Sequence, residues 1–412
     1  MVSFLPPTRA IWVLAPIALL ALLAAPVRAF EPPAVAEPDA ATAVDADRAA
    51  LEAALAADAT AAVEDVALAA DSPLMPQMSL IFDGAAAWFS DRDNLQAGGH
   101  DPTRSGFNLQ QLELHLESNV DPYLSMQANI VWGKDGVELE EAFAQSTALP
   151  GNLQLRAGKF LNPFGRLNPT HPHAWHFVDA PFALTKMLGP DGSRGLGTEL
   201  AWLAPLPWFL EVRAAASHPD PDTGRSFVAP GGKLVRSPAD LVWTTNVRQF
   251  FALSDDWSLY WGLSTQQGTG PNAATDSTQL YGTDLYVRWR PVANPDRLAI
   301  SLQAEALIRQ RTWLGQQLSD WAGYAQLVAE LNPRWEIGVR EEQGSGVQDD
   351  PLDPLWTGHR QKYSAQITYF PSHFARLRLQ GSVDVPAWSA DPIFAGMLAL
   401  ETVIGAHGAH SY

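Results

Sequence analysis

Asn108-Leu-Gln-Gln-Leu-Glu-Leu-His-Leu-Glu-Ser-Asn-Val-Asp-Pro-Tyr-Leu-Ser-Met-Gln-Ala-Asn-Ile-Val-Trp132 alternates apolar and polar residues on both sides of a short break at Asp121 and Pro122. Leu112, Leu114 and Leu116 interleave with Gln111, Glu113, His115 and Glu117. Leu124, Met126, Ala128, Ile130 and Trp132 interleave with Ser125, Gln127 and Asn129. A period of two places alternate side chains on opposite faces of a strand, and the break has room only for a hairpin. One face is aliphatic and the other is polar. A soluble sandwich strand reads the same way, so recurrence of the unit decides its meaning.

The unit recurs to the end of the chain. It begins with a strand over about Met78 to Phe89 and includes Val137 to Gln145, Leu153 to Phe160, Leu196 to Leu203 and Trp208 to Ala216. It continues through Val242 to Phe251, Trp257 to Ser264, the alternations around Leu285 and Leu302, Trp321 to Leu331, Trp335 to Glu341, Tyr363 to Phe370, Phe374 to Val383 and Met397 to Ala406. That predicts about sixteen strands. One set of connections is short, as at Leu149-Pro150-Gly151, Ala204-Pro-Leu-Pro207 and Leu253-Ser-Asp-Asp256. The other set is mostly long: Asp91–Ser105, Leu161–Arg194, His218–Asp240, Gln266–Ser277, Gln310–Asp320, Glu342–Arg360 and Pro386–Pro392. An even strand count with loops sorted by side describes a closed transmembrane antiparallel β-barrel, which also leaves no sheet edge to aggregate. A barrel this wide cannot be filled by side chains, so the aliphatic face points to lipid and the polar face lines water. Trp208, Trp257 and Trp335 each open a strand just after a short turn, the placement of an interfacial aromatic girdle.

The remaining features set the compartment. Arg9, the apolar run Ile11 to Ala25 and the small residues at Val27-Arg-Ala29 read as a secretory signal over residues 1–29. The run is shorter than the ~20 residues of a membrane span. Residues 30–76 form an Ala/Asp/Glu-rich periplasmic segment, helical or disordered, and the barrel spans 77–412. The chain has no cysteine, which excludes disulfides and thiolate chemistry. Its net charge of −18 argues against nucleic acid as a partner. No nucleophile elbow or phosphate loop appears, so the reading is not an enzyme.

Leu153-Gln-Leu-Arg-Ala-Gly-Lys-Phe160 with Asn162-Pro-Phe-Gly165, Leu167-Asn-Pro-Thr-His-Pro-His-Ala-Trp-His-Phe-Val-Asp179, and Val403-Ile-Gly-Ala-His-Gly-Ala-His410 resemble the phosphate-selective porin O and P family of outer-membrane porins. The resemblance is strongest to a branch labelled as zinc-regulated or receptor-like. It implies a 16-stranded barrel, commonly a homotrimer, that passes small hydrophilic solutes or ions across the bacterial outer membrane. Tyr412 resembles the terminal assembly signal of such barrels.

On the face assignment above, Glu113, His115, Glu117, Arg156, Glu211, Arg213, Arg288, Arg290, Glu305, Glu336, Arg340, Arg376 and Arg378 line the pore. This is a mixed wall, whereas strong selectivity needs rings of one sign. The long segment Leu161–Arg194 is expected to fold inward as a constriction, with Lys159, Arg166, Lys186 and Arg194 as its cations. No cofactor is required. His171, His173 and His176 with Asp179 offer a zinc ligand set, the basis of an alternative reading as a metal-binding or uptake barrel. Hydrogen-bonded loop histidines are the other account of the same residues.

Overall fold

The computed structural model describes residues 76–405 apart from 135, 220–223, 228–234, 271–275, 295–296, 314 and 351. The signal, all but the last residue of the 30–76 segment, and the tail with His407, His410 and Tyr412 lie outside the described residues.

Sixteen antiparallel strands close into one barrel. They are β1 (Gln77–Phe89), β2 (Gly106–Asp121), β3 (Leu124–Gly133), β4 (Gly136–Ser146), β5 (Leu153–Leu161), β6 (Arg194–Leu203), β7 (Phe209–Ser217) and β8 (Val242–Ala252). Then come β9 (Trp257–Thr269), β10 (Ser277–Trp289), β11 (Ala299–Trp313), β12 (Gln316–Asn332), β13 (Trp335–Gly344), β14 (Arg360–Ser372), β15 (Ala375–Pro386) and β16 (Ile393–Gly405). Each strand pairs with its neighbours in sequence, and β1 closes on β16 from Ser79 opposite Gly405 to Phe89 opposite Ala395. The hairpin of β2 and β3 turns at 122–123, with Leu112 opposite Trp132 and Glu113 opposite Val131.

The faces divide as the alternation requires. Leu327, Val339, Leu379, Leu398 and Ile404 are exposed on the outside, while Glu113, Asn246, Gln326 and Gln380 are buried within. Trp208, Trp257 and Trp335 are exposed, and Trp335 lies against Tyr369 at 4.7 Å between ring centres. Two β-bulges modify the inner face. Between Asp83 and Gly84 the register skips Gln110, so Gln110 and Gln111 both face inward. Between Asn129 and Ile130 it skips Glu140, and Glu140 and Glu141 are both buried. A bulge sets two residues opposite one and re-aims a side chain.

Gln310–Asp320 is not a long connection, because β11 runs to Trp313 and β12 begins at Gln316. Arg309, Arg311 and Asp320 are buried inward-facing groups there, and their polarity makes the strand ends resemble a loop.

Residues 162–193, between β5 and β6, fold into the barrel and contain the short helix α1 (Phe182–Met187). Phe164, Leu167, Phe182, Leu184 and Met187 pack with inward-facing Val242, Leu280, Leu307 and Tyr324, and with Phe227. Val178 packs on Ala85, Ala87, Met397 and Ala399 of β1 and β16. The loop therefore rests on two separated parts of the wall. Lys186 of α1 binds Asp320 at 2.8 Å and Asp353 at 3.2 Å, and Arg309 binds the same two carboxylates. Lys186→Met removes one buried charge of this network, and breaking a buried pair costs about 3–5 kcal/mol. The expected result is a lower unfolding temperature, read by the loss of heat-modifiable mobility on gels, with the barrel still assembling at low temperature.

Candidate functional site: the lumen and its inward loop

A cavity of about 1550 Å³ occupies the lumen. The short turns at Pro333 and Ser372 border it, as do inward-loop residues from Gly165 to Pro181. The outer side of the lumen is filled by the loop and its apolar contacts.

Arginine and glutamate pairs cover one wall. Arg156 binds Glu199 at 2.6 Å, and Arg213 reaches Glu211 at 2.8 Å and Glu199 at 3.5 Å. Arg248 also pairs with Glu211, and Arg288 and Arg290 share Glu330 at 3.0 and 2.5 Å. On the opposite side, Arg376 binds Glu401 at 2.7 Å, and Arg378 reaches Asp83 at 3.0 Å and Glu401 at 3.3 Å. His115 is hydrogen-bonded to Asn129 at 2.7 Å and lies 3.8 Å from Glu117. Glu305 accepts from Leu167 N and Tyr324 Oη at 2.7 and 2.8 Å, so it holds the loop. The pore-lining residues read from sequence thus face inward, but most are tied to a partner. Several of those partners went unread in the sequence: Asp83, Glu199, Arg248, Glu330, Glu342 and Glu401, and so did Lys362, the partner of Asp179. They share the inward parity of their strands, and that parity is the signal that could have found them.

The four loop cations have different fates. Arg166 borders the cavity, stacked over Tyr286 at 4.0 Å and near Tyr260 at 5.2 Å. Lys159 stands opposite Ala142 and exposed Leu196 on the outer face and reaches Glu138 at 3.5 Å, so it does not line the lumen. Lys186 and Arg194 are buried: Lys186 against Trp356 and its two aspartates, Arg194 against Glu138 and Glu140. Burial and Arg309 lower the pKa of Lys186, against the pull of Asp353 and Asp320. Sequence position put these cations near the loop ends, but side-chain direction and packing withdrew three of them from solute.

The expected zinc set is not assembled. His176 binds Glu336 at 3.0 Å, and Asp179 binds Arg340 and Lys362 at 2.5 Å each. His171 meets Glu141 at 2.8 Å and His173 meets Glu113 at 3.1 Å. Among the described residues, Asp320, Asp350 and Asp353 come close enough to share an ion. Lys186, Arg309 and Arg311 already occupy that cluster, so it is an ion-pair network.

Asp179 is the main fastening. It is fully buried and also accepts from Gln380 at 2.8 Å and Gln96 at 3.2 Å. Burial opposes its charge, but Lys362 and Arg340 hold its carboxyl well below the usual range. Ala180 N next to it donates to Asp101 of the β1–β2 connection at 2.8 Å, and Gly98 N donates to the same carboxylate.

No family model matches the chain. An uncharacterised protein of Aquifex aeolicus (strain VF5) is 29% identical over 385 residues, covering 82% of this chain and 80% of that one. The outer-membrane channel DcaP of Acinetobacter baumannii superposes with a TM-score of 0.55 at 11% identity, over 80% of this chain and 97% of its own. An anion-selective porin from Comamonas acidovorans gives 0.54 at 10%, over 80% and 99%. OprB of Pseudomonas putida gives 0.54 at 11%, over 80% and 94%. The chain has the outer-membrane porin fold. At these identities the likeness is one of fold, and it does not single out the phosphate-selective branch.

Two predictions follow from the fastening. Asp179→Asn leaves Arg340 and Lys362 short of a buried counter-charge, a loss of about 3–5 kcal/mol; exchange of the Val178 and Ala180 amides, measured by mass spectrometry, rises while the strands stay protected. Burial and the charge of Asp179 push Asp101 up to about 6. Between the ordinary carboxylate range and pH 6 the folded form therefore holds the extra proton, so this group's contribution is largest at low pH and is lost as pH rises through about 6. Loss of heat-modifiable mobility should accordingly set in at a higher temperature at pH 5 than at pH 7 in wild type, with a smaller difference in Asp101→Asn.

Proposed function

We propose that the chain is an integral outer-membrane channel for passive diffusion of small hydrophilic solutes or ions. The observation that carries this reading is the inverted barrel: a charged, hydrated cavity inside and an exposed aliphatic surface outside. Water would not support that outer surface, and a bilayer with aromatic side chains at its interface would. Export by the 1–29 signal and assembly as a homotrimer fit the same reading.

The inward loop acts as the constriction, with Arg166 as its cation at the cavity. Arg156, Arg213, Arg248, Arg288 and Arg290 lie on one wall, largely neutralised by Glu199, Glu211 and Glu330. Glu113, Glu117 and Glu141 border the other side of the cavity. Pairing on the wall screens the field, so selectivity is weak.

Purified protein in planar bilayers should show small, steady conductance steps. Its reversal potential across a salt gradient should fall well short of the ideal value for either ion. Removing 171–181 should raise conductance several-fold. Absence of steps from wild type and deletion alike would refute the channel, and an unchanged conductance on deletion would refute the constriction.

A further inference from the structure

We infer that the inner faces of β7 to β10 carry a subsite for organic carboxylates with a flat apolar body, aromatic acids among them. The inference rests on the channel reading and names the solute class that such a channel recognises.

The subsite is built on a row of rings. Phe209 stands opposite Phe250, Phe250 opposite Tyr260, and Tyr260 opposite Tyr286. Four consecutive strands therefore present an aromatic side chain at one level of the inner wall, and all four border the cavity. Neighbouring strands lie about 4.8 Å apart, so the row extends over roughly 14 Å. Val242, Leu280 and Leu307 also point inward, but the loop covers them. Phe209 and Phe250 instead lie open to the lumen, 38% and 42% exposed. Apolar surface held open to water beside polar groups marks a binding surface.

Arginines flank the row on both sides. Toward the inward loop, Arg248 precedes Phe250 by two residues on β8 and lies 6.0 Å over Phe209, and Arg166 lies 4.0 Å over Tyr286. Toward the short turns, Arg288 follows Tyr286 by two residues, with Arg290 beyond it. The carboxylates do not match these cations. Glu211 is shared by Arg213 and Arg248, and Glu330 by Arg288 and Arg290. Arg166 lies on tyrosine faces rather than against a carboxylate. Asp284 and Glu305 are buried behind the row and do not border the cavity. Arg248, Arg288 and Arg290 remain partly exposed, so a solute that reaches the rings meets guanidinium groups in excess.

The pairing of chemistries selects the solute. Guanidinium presents paired N–H donors that match a carboxylate, and the rings offer stacking contact to a flat apolar body. An inorganic anion uses only the cations, and a neutral sugar leaves them unused. An aromatic acid uses both. Glu113, Glu117 and Glu141 across the cavity weaken the field in mid-channel. Weak selectivity between small ions is therefore compatible with recognition of an acid seated on one wall.

The test is block of the potassium chloride current through the full-length protein in planar bilayers by benzoate, acetate, inorganic phosphate and maltotriose. Benzoate should block wild type saturably, with a half-blocking concentration at least tenfold below that of acetate or phosphate. Phe250→Ser/Tyr260→Ser should abolish the preference for benzoate over acetate, Arg288→Gln/Arg290→Gln should weaken block by both several-fold, and His115→Asn on the opposite wall should change neither. Each variant must retain heat-modifiable mobility as evidence of folding. Equal block of wild type by benzoate and acetate, a preference that survives in Phe250→Ser/Tyr260→Ser, or saturable block by maltotriose with none by benzoate would each overturn the subsite. Saturation-transfer NMR of benzoate with wild type in deuterated detergent reads the subsite without a bilayer or a variant. Transfer to the benzoate ring that excess acetate does not displace supports it even if no conductance is seen, and absence of transfer overturns it even if the channel conducts.

Discussion

The buried charge of Asp179 is the constraint around which the lumen is arranged. A carboxylate taken out of water is costly unless cations and donors replace the lost hydration. Here Arg340 on β13, Lys362 on β14 and Gln380 on β15 supply them. The dependence runs both ways, since Arg340 and Lys362 are themselves buried in a wall that needs counter-charge. Neither the loop nor this part of the wall is satisfied alone. A loop held by charge from one side and by apolar packing from two sides has little freedom to withdraw.

The barrel accommodates the loop by breaking its own pattern. Most inward side chains are polar, but Val242, Leu280, Leu307 and Tyr324 face the loop's apolar residues, and Ala85, Ala87, Met397 and Ala399 face Val178. These exceptions form a small protein core inside an otherwise aqueous barrel. They leave the hydrated cavity on the side of the short turns, where Arg166 meets Tyr286. The β4 bulge works at the other edge of the loop. By facing Glu140 inward beside Glu141, it surrounds His171 with carboxylates that regular pairing would have sent to opposite faces.

The sequence by itself determined the strand number, the closed antiparallel order and the two faces, because period-two alternation and turn chemistry are local. Glu113 and Arg340 were legible as inward residues for that reason. Which groups meet across the lumen was decided only by tertiary structure. Asp179 read as a zinc ligand and became a counter-ion, and Lys186 read as a constriction cation and was buried against Asp320 and Asp353. Glu140 entered the histidine cluster through a bulge that alternation does not announce. Those outcomes depend on the placement of a loop against strands up to two hundred residues away, and no local period carries that information.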